Sequence, residues 1–232
     1  MKRNIFITGT DTEVGKTYVS SLILCLLNDQ DLRTIGLKPI AAGACEMDGE
    51  LKNEDAVALQ AAASVKLPYS EVNPFCYKEA IAPHIAASHE GRSLSVEQIS
   101  HQISTVLRKT EYDICLIEGA GGWYVPLNDE ESLSDLVVHN DWDVVLVVGI
   151  KLGCINHALL SAEALKNSGV NCVGWIANCV EPESNVQHEN IETLIPRIDI
   201  PYLGKVGFCD EGSSINLLPL SELSLDKDTR VC

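Results

Sequence analysis

The stretch Ile5-Phe6-Ile7-Thr8-Gly9-Thr10-Asp11-Thr12-Glu13-Val14-Gly15-Lys16-Thr17-Tyr18-Val19 decides the fold. A short apolar run delivers the chain into a Gly-rich turn, and apolar residues at helical spacing follow. In that order the turn's backbone N–H groups converge on one point, and the positive end of the next helix faces the same point. Such a loop wants a phosphate. Lys16 is placed to reach terminal phosphates, and Thr17 to offer its hydroxyl to Mg²⁺. The spacing is a variant: Thr10 stands where the usual pattern has its first glycine, and Gly9 lies one residue earlier. The competing reading, an ordinary tight turn, leaves the sequence of strand, Gly-Lys-Thr and helix without a reason.

The rest of the chain alternates strands and helices around that loop. Val19, Leu22, Ile23, Leu26 and Leu27 make one apolar helix stripe. Thr34 to Leu37 reads as a strand ending in Lys38-Pro39, so Lys38 is expected beyond a strand's carboxyl end, in the crevice that also receives Lys16. Its bland alternative is a solvated surface lysine. Asn53 is a candidate N-cap for a helix whose first turn carries Glu54 and Asp55. Residues 66 to 80 look irregular, Pro83 could open a short helix, and Ser95 to Lys109 has one clear apolar face. Tyr112 to Glu118 is an apolar strand ending in a carboxylate, followed by Gly119-Ala120-Gly121-Gly122. An acid there is expected to face the loop from a neighbouring strand as a second metal-binding group.

Ser132 to Asn140 is expected to be helical, and Val144 to Gly149 a fully buried strand. Lys151 to His157 turns into another helix whose N-terminus could hold an anion such as a substrate carboxylate. For His157 a surface or capping role ranks above catalysis. Asn171 to Asn178 reads as a strand, with the Asn178 amide placed to read a purine edge. Asn185 to Arg197 reads as a helix and Tyr202 to Val206 as the last strand. The expected fold is α/β: one phosphate-loop domain over 1–232, a mostly parallel sheet of about six or seven strands, and helices on both faces. Residues 210–232, acidic and Ser-rich, are expected to form a loosely ordered tail.

Composition agrees with a helix-covered sheet. Hydrophobic residues make up 46% of the chain but aromatics only 5%, so the core must come from Leu, Ile, Val and Ala. A net charge of −16 opposes nucleic acid and anionic membranes, whereas a nucleotide needs only a local positive pocket. The acidic field suits a cationic co-substrate such as an amine, and solubility explains it equally well. The nine cysteines form no Cys-x-x-Cys pair, and Cys25, Cys115 and Cys172 look like small buried hydrophobes, so neither disulfides nor structural zinc are expected. The N-terminus runs straight into a strand, without a signal or spanning segment, and the expected compartment is the cytosol.

Several stretches jointly resemble the dethiobiotin synthetase family: Gly9 to Thr17, Gly36 to Pro39, Asn53 to Asp55, Glu118 to Trp123, Val148 to His157, and Gly174 to Asn178. The resemblance spans residues 5 to 180 and fades over the last fifty. It implies an ATP- and Mg²⁺-dependent ligase that converts 7,8-diaminopelargonic acid and CO₂ to dethiobiotin, ADP and phosphate through a carbamate and a carbamic-phosphate intermediate. It assigns catalysis to Lys38, Lys16, Thr12 and Glu13, and the metal to Thr17, Asp55 and Glu118. Nucleotide contacts fall on Glu13, Val14, Gly15, Lys16, Thr17 and Tyr18, with Asp55, Glu118, Gly119, Ala120 and Gly121. Asn178, Gly207, Phe208 and Cys209 are expected around the adenine. Substrate contacts fall on Thr12, Ala42, Gly121 and Gly122, and on Leu152, Gly153, Cys154 and Asn156, which take the carboxylate tail across a homodimer interface. Ala42 stands where the family usually has serine, and Gly207-Phe208-Cys209 replaces a proline-containing segment. The alternatives are a nucleotide-driven switch or partner-binding ATPase, an amide-forming synthetase, and a non-catalytic ATP-binding scaffold. Switch proteins usually carry an extra lysine early in the loop, and positions 8 to 14 contain none.

Overall fold

The computed structural model describes residues 2–182 and 184–208. The expected adenine contact at Cys209 and the expected tail over 210–232 lie outside the described residues.

Six parallel strands form the central sheet: β1 (Arg3–Gly9), β2 (Thr34–Leu37), β7 (Ile114–Glu118), β8 (Asp143–Ile150), β9 (Cys172–Cys179) and β10 (Tyr202–Val206). Their order across the sheet is β10-β9-β8-β1-β7-β2. The chain therefore leaves β1 in one direction and later returns to its other side, which makes the end of β1 a topological switch point.

Alternation along the strands divides the core. Ile5, Ile7, Ile114, Leu116, Val145 and Val147 pack with Val19, Ile23 and Leu27 of α1 (Lys16–Asn28) and with Leu59 of α2 (Glu54–Ala62). Phe6, Cys115, Ile117, Val144, Leu146 and Val148 face the opposite layer, formed by α5 (Val96–Lys109), α6 (Leu133–Asn140), α7 (Cys154–Asn167) and α8 (Asn185–Leu194). All eight residues of β8 are buried, as its unbroken apolar run predicts.

Local signals set several boundaries. The Asn53 side chain accepts from the Ala56 N–H and caps α2, and Ser95 accepts from Gln98 at the start of α5. Asp135 reaches back to the Ser132 N–H at 2.7 Å, a reciprocal cap on α6. Gly36 lets α2 lie close on β2, since a Cβ there would stand 2.9 Å from the Leu59 carbonyl. That close approach brings the start of α2 to the carboxyl edge of the sheet.

Three expectations change. Residues 66 to 80 are not irregular: they hold α3 (Tyr69–Val72) and β6 (Phe75–Cys76), which pairs with β3 (Ile40–Ala41). The connection between them also carries a hairpin of β4 (Cys45–Met47) and β5 (Glu50–Lys52). Short strands without an apolar alternation leave little sequence signal. Cys25 is exposed rather than buried, because positions 16, 19, 20, 23, 24 and 27 of α1 face inward and 25 lies on the outer side. The last expected helix ends at Leu194, three residues before Arg197. Pro83 does open a helix, α4 (Pro83–His89).

Candidate active site

The loop after β1 is fastened from below. Thr10 N–H donates to the Val147 carbonyl at 3.0 Å, and the Asn178 amide donates to the Val14 carbonyl at 2.8 Å. Val14 is wholly buried beneath the loop, against Gly149. The early glycine has a purpose: a Cβ on Gly9 would come within 2.7 Å of Val14 Cγ2 and 3.1 Å of the Lys16 side chain. Gly15 has φ 80°, and Glu13 adopts φ 58°, a conformation non-glycine residues rarely take outside functional loops. No side chain among the described residues caps α1, so its first-turn N–H groups remain directed at the loop.

Strand register brings distant charges beside it. Ile7 pairs with Glu118, and Leu37, just before Lys38, pairs with Ile117. Lys38 Nζ lies 2.6 Å from Glu118 Oε1 and 2.7 Å from Asp55 Oδ2, and Thr17 Oγ1 donates to Glu118 Oε1 at 2.7 Å. Lys16 Nζ arches over the loop to the Asp11 carbonyl at 2.9 Å. Lys38 is only 5% exposed, which removes the solvated-lysine reading.

Burial and charge set the protonation states. Burial, followed by repulsion from Lys38, lowers the Lys16 pKa to about 8 against the pull of Glu118 and Asp55. For Lys38 burial also pulls downward, but Glu118 and Asp55 outweigh it and the pKa lies above the ordinary lysine value. Burial pushes Asp55 up, yet the charge of Lys38 and its hydrogen bond carry it below the usual carboxylate range.

One atom in the cluster is left over. Glu118 Oε2 is buried and finds no hydrogen-bond partner among the described residues. A buried carboxylate oxygen without a partner is costly. With the Thr17 hydroxyl and the half-exposed Asp55 carboxylate nearby, it makes an all-oxygen donor set of the kind a hard divalent cation takes.

These groups line a cavity of about 800 Å³ with Thr12, Glu13, Ala42, Ala120 and Gly121. Gly119 sits behind it against the Phe6 ring, Gly122 lies near the Gly9 carbonyl, and Tyr18 is partly exposed on the first turn of α1. The opposite wall was not foreseen: Ala80 to Pro83 on one side, Tyr124 to Pro126 on the other. Only Pro83 at a helix start and an aromatic pair directly after the glycine run hinted at it.

The remaining predicted contacts lie elsewhere. Asn178, Gly207 and Phe208 stand at the carboxyl ends of β9 and β10, where Val206 pairs with Asn178. Leu152, Gly153, Cys154 and Asn156 line a separate cavity of about 660 Å³ at the start of α7, with Gly153 at φ 88°. Within that turn Leu152 is 99% exposed and Cys154 buried. The tie from this turn to the loop is Lys151, 3.7 Å from Asp11. His157 is exposed on α7 and His84 lies on α4.

The fold and the loop geometry together define a phosphate-loop, nucleotide-using α/β protein. A family profile described as an AAA domain matches residues 3–211. The chain is 45% identical over 229 residues to the ATP-dependent dethiobiotin synthetase BioD of Vibrio vulnificus strain YJ016, covering 96% of this chain and 100% of that one. It is 48% identical over 205 residues to the protein of the same name from Cellvibrio japonicus, covering 88% and 89%. Among solved structures, the septum site-determining protein MinD from Pyrococcus horikoshii aligns with a TM-score of 0.58 at 15% identity, over 89% of this chain and 82% of that one, a likeness of fold alone. The chain belongs to the AAA-domain family and, by its relatives, to the ATP-dependent dethiobiotin synthetases, a family of ATP-dependent ligases.

Proposed function

We propose that this protein closes the ureido ring of dethiobiotin from 7,8-diaminopelargonic acid and CO₂, with ATP converted to ADP and phosphate. The observation that carries the reading is the convergence of Lys16, Lys38, Thr17, Asp55 and Glu118 on one cavity at the phosphate loop. One substrate amine adds to CO₂ as a carbamate. A carbamate oxygen attacks the γ-phosphorus and ADP leaves. The second amine then attacks the carbamoyl carbon and expels phosphate.

The chain's residues meet the chief obstacle, which is bringing two anions together. Lys38, buried and cationic, neutralises the carbamate, while Lys16 and the loop N–H groups neutralise the phosphates. Mg²⁺, held by Thr17, Asp55 and Glu118, would supply further charge neutralisation at the phosphates. Thr12 and Glu13 border both reactants at the cavity rim. We place the adenine beyond β9 and β10, beside Gly207 and Phe208, with Asn178 at the base.

The turn from Leu152 to Asn156 lines a cavity of its own, which suits a substrate tail bound across a homodimer. Supporting this, Leu152 is bare, and Leu160 and Val186 nearby are also exposed. No described helix is long and apolar enough to cross a membrane, and we place the reaction in the cytosol.

The test mixes purified protein with ATP, Mg²⁺, bicarbonate and diaminopelargonic acid, and follows ADP and dethiobiotin. Diamine-dependent turnover is expected, falling about 1000-fold in Lys38→Gln as developing charge loses its buried cation. ATP hydrolysis indifferent to the diamine, or none, would overturn the synthetase reading in favour of a switch or a scaffold.

A further inference from the structure

Lys38 and Asp55 come from different elements, the end of β2 and the first turn of α2, yet they meet at 2.7 Å. The β2 end is followed by Pro39 and a two-residue strand, and α2 is a nine-residue helix entered from a hairpin. What spans the gap is the short helix α3.

The Lys38 backbone is gripped on both sides by residues at the end of α3. Its N–H donates to the Val72 carbonyl at 3.0 Å, and its carbonyl accepts from the Asn73 amide at 2.6 Å. Asn73 is 3% exposed, and its other end, Oδ1, accepts from the Tyr69 hydroxyl at 2.9 Å. That hydroxyl in turn accepts the Asn53 N–H at 2.7 Å. Asn53 is the N-cap of α2, two residues before Asp55. Because Nδ2 must donate to Lys38, Oδ1 must accept, and Tyr69 must supply the proton. Burial raises the Tyr69 pKa, so that proton stays in place.

We propose that Tyr69 and Asn73 are a positioning relay that holds the backbone carrying Lys38 in register with the α2 cap carrying Asp55, and so sets the geometry of the cavity's central lysine. Neither Tyr69 nor Asn73 lines the main cavity. Its role in turnover rests on the synthetase reading above; its role in holding Lys38 does not.

The experiment compares Tyr69→Phe, Asn73→Ala and the double variant in the full chain. Removing one such hydrogen bond is expected to lower kcat about tenfold, with the ATP KM unchanged within about twofold, and the double variant should lose no more than Asn73→Ala alone. A second readout needs no turnover: modification by trinitrobenzenesulfonate, followed by peptide mass spectrometry at Lys38 and Lys16. Loss of register should speed Lys38 labelling about fivefold or more while Lys16, which feels Lys38 as a like charge, is labelled no faster. Equal acceleration at both lysines with a lower melting temperature would show a merely structural role and overturn the proposal. Unchanged labelling at Lys38 would do the same. If the wild-type protein fails to use the diamine, the synthetase reading falls and the labelling still decides the relay.

Discussion

At the amino edge of the sheet, Arg3 meets Asp143 Oδ2 at 2.8 Å, and Asn171 takes the other oxygen at 2.6 Å. Arg33 binds both oxygens of Asp113, at 2.9 Å to Oδ1 and 3.1 Å to Oδ2, and its backbone N–H adds a third bond. At the carboxyl edge Glu118 gives Oε1 to both Lys38 and Thr17, and its Oε2 has no partner among the described residues. The residue types are alike and the satisfaction of their carboxylates differs. The two carboxylates that stitch strands together have both oxygens matched, whereas the one facing the cavity has an oxygen that no described residue matches. Buried charge of the second kind weakens a fold and persists where a ligand uses it.

The sharpest way to break this contrast is to neutralise one carboxylate at each edge. Glu118→Gln should cut synthesis at least about 100-fold and cost about 1–2 kcal/mol in folding free energy, since the buried Lys38 loses one counter-ion but keeps Asp55. Chemical denaturation alongside the turnover assay reads both. Asp143→Asn should do the reverse: a loss of about 3 kcal/mol in stability, from leaving Arg3 buried and poorly paired, with turnover per folded molecule unchanged. If both variants lost stability equally, the distinction between the edges would collapse.

Protonation sharpens it further. Lys16 in the free protein has a pKa of about 8, and bound phosphate favours the cation. Above pH 8 nucleotide binding therefore takes up a proton, and ADP affinity should fall by up to about tenfold per pH unit, measured by titration from pH 7 to 9.5. A flat profile would mean Lys16 is already fully charged. At the other edge the effect is smaller and of opposite range. Hydrogen bonds from the Arg33 side chain and then its backbone bring the Asp113 carboxyl from 3.8 to about 2. Its folded pKa is the lower one, so the contribution is present above pH 3.8 and lost as pH falls toward 2. Thermal melts of Arg33→Ala should lie slightly below wild type at pH 7 and converge with it near pH 2, the gap kept small by solvent around this exposed pair.

Much of the site was legible because its parts announce themselves locally. Gly15-Lys16-Thr17 needs its neighbours only, and Glu118 is marked by an apolar strand before it and glycines after. Lys38 was ambiguous: a lysine ending a strand is solvated or buried according to what packs over it, and here Glu118 and Asp55 arrive from about 80 and 17 positions away. Tyr69 and Asn73 were illegible, lying in a stretch with neither period, their meaning carried by hydrogen bonds to Asn53 and Lys38. Cys25 lies in an apolar segment, but the helical phase of α1 turns it outward. The cavity wall from Ala80 to Pro83 escaped for a related reason, since lining a cavity leaves no repeat in the chain.

The amino-acid order by itself determined the alternation of strands and helices, the parallel sheet and the phosphate loop with its shifted Gly9. Each follows from periodicity, β-branched runs and backbone sterics acting over a few residues. The tertiary structure alone decided which charges meet, that Glu118 keeps one oxygen unmatched, and that the turn at Leu152 opens a cavity apart from the first. Those facts depend on strand order and register, which bring residues a hundred positions apart within 3 Å, as with Thr17 and Glu118. Coulomb and hydrogen-bond energies act through such distances in space, and no spacing along the chain records them.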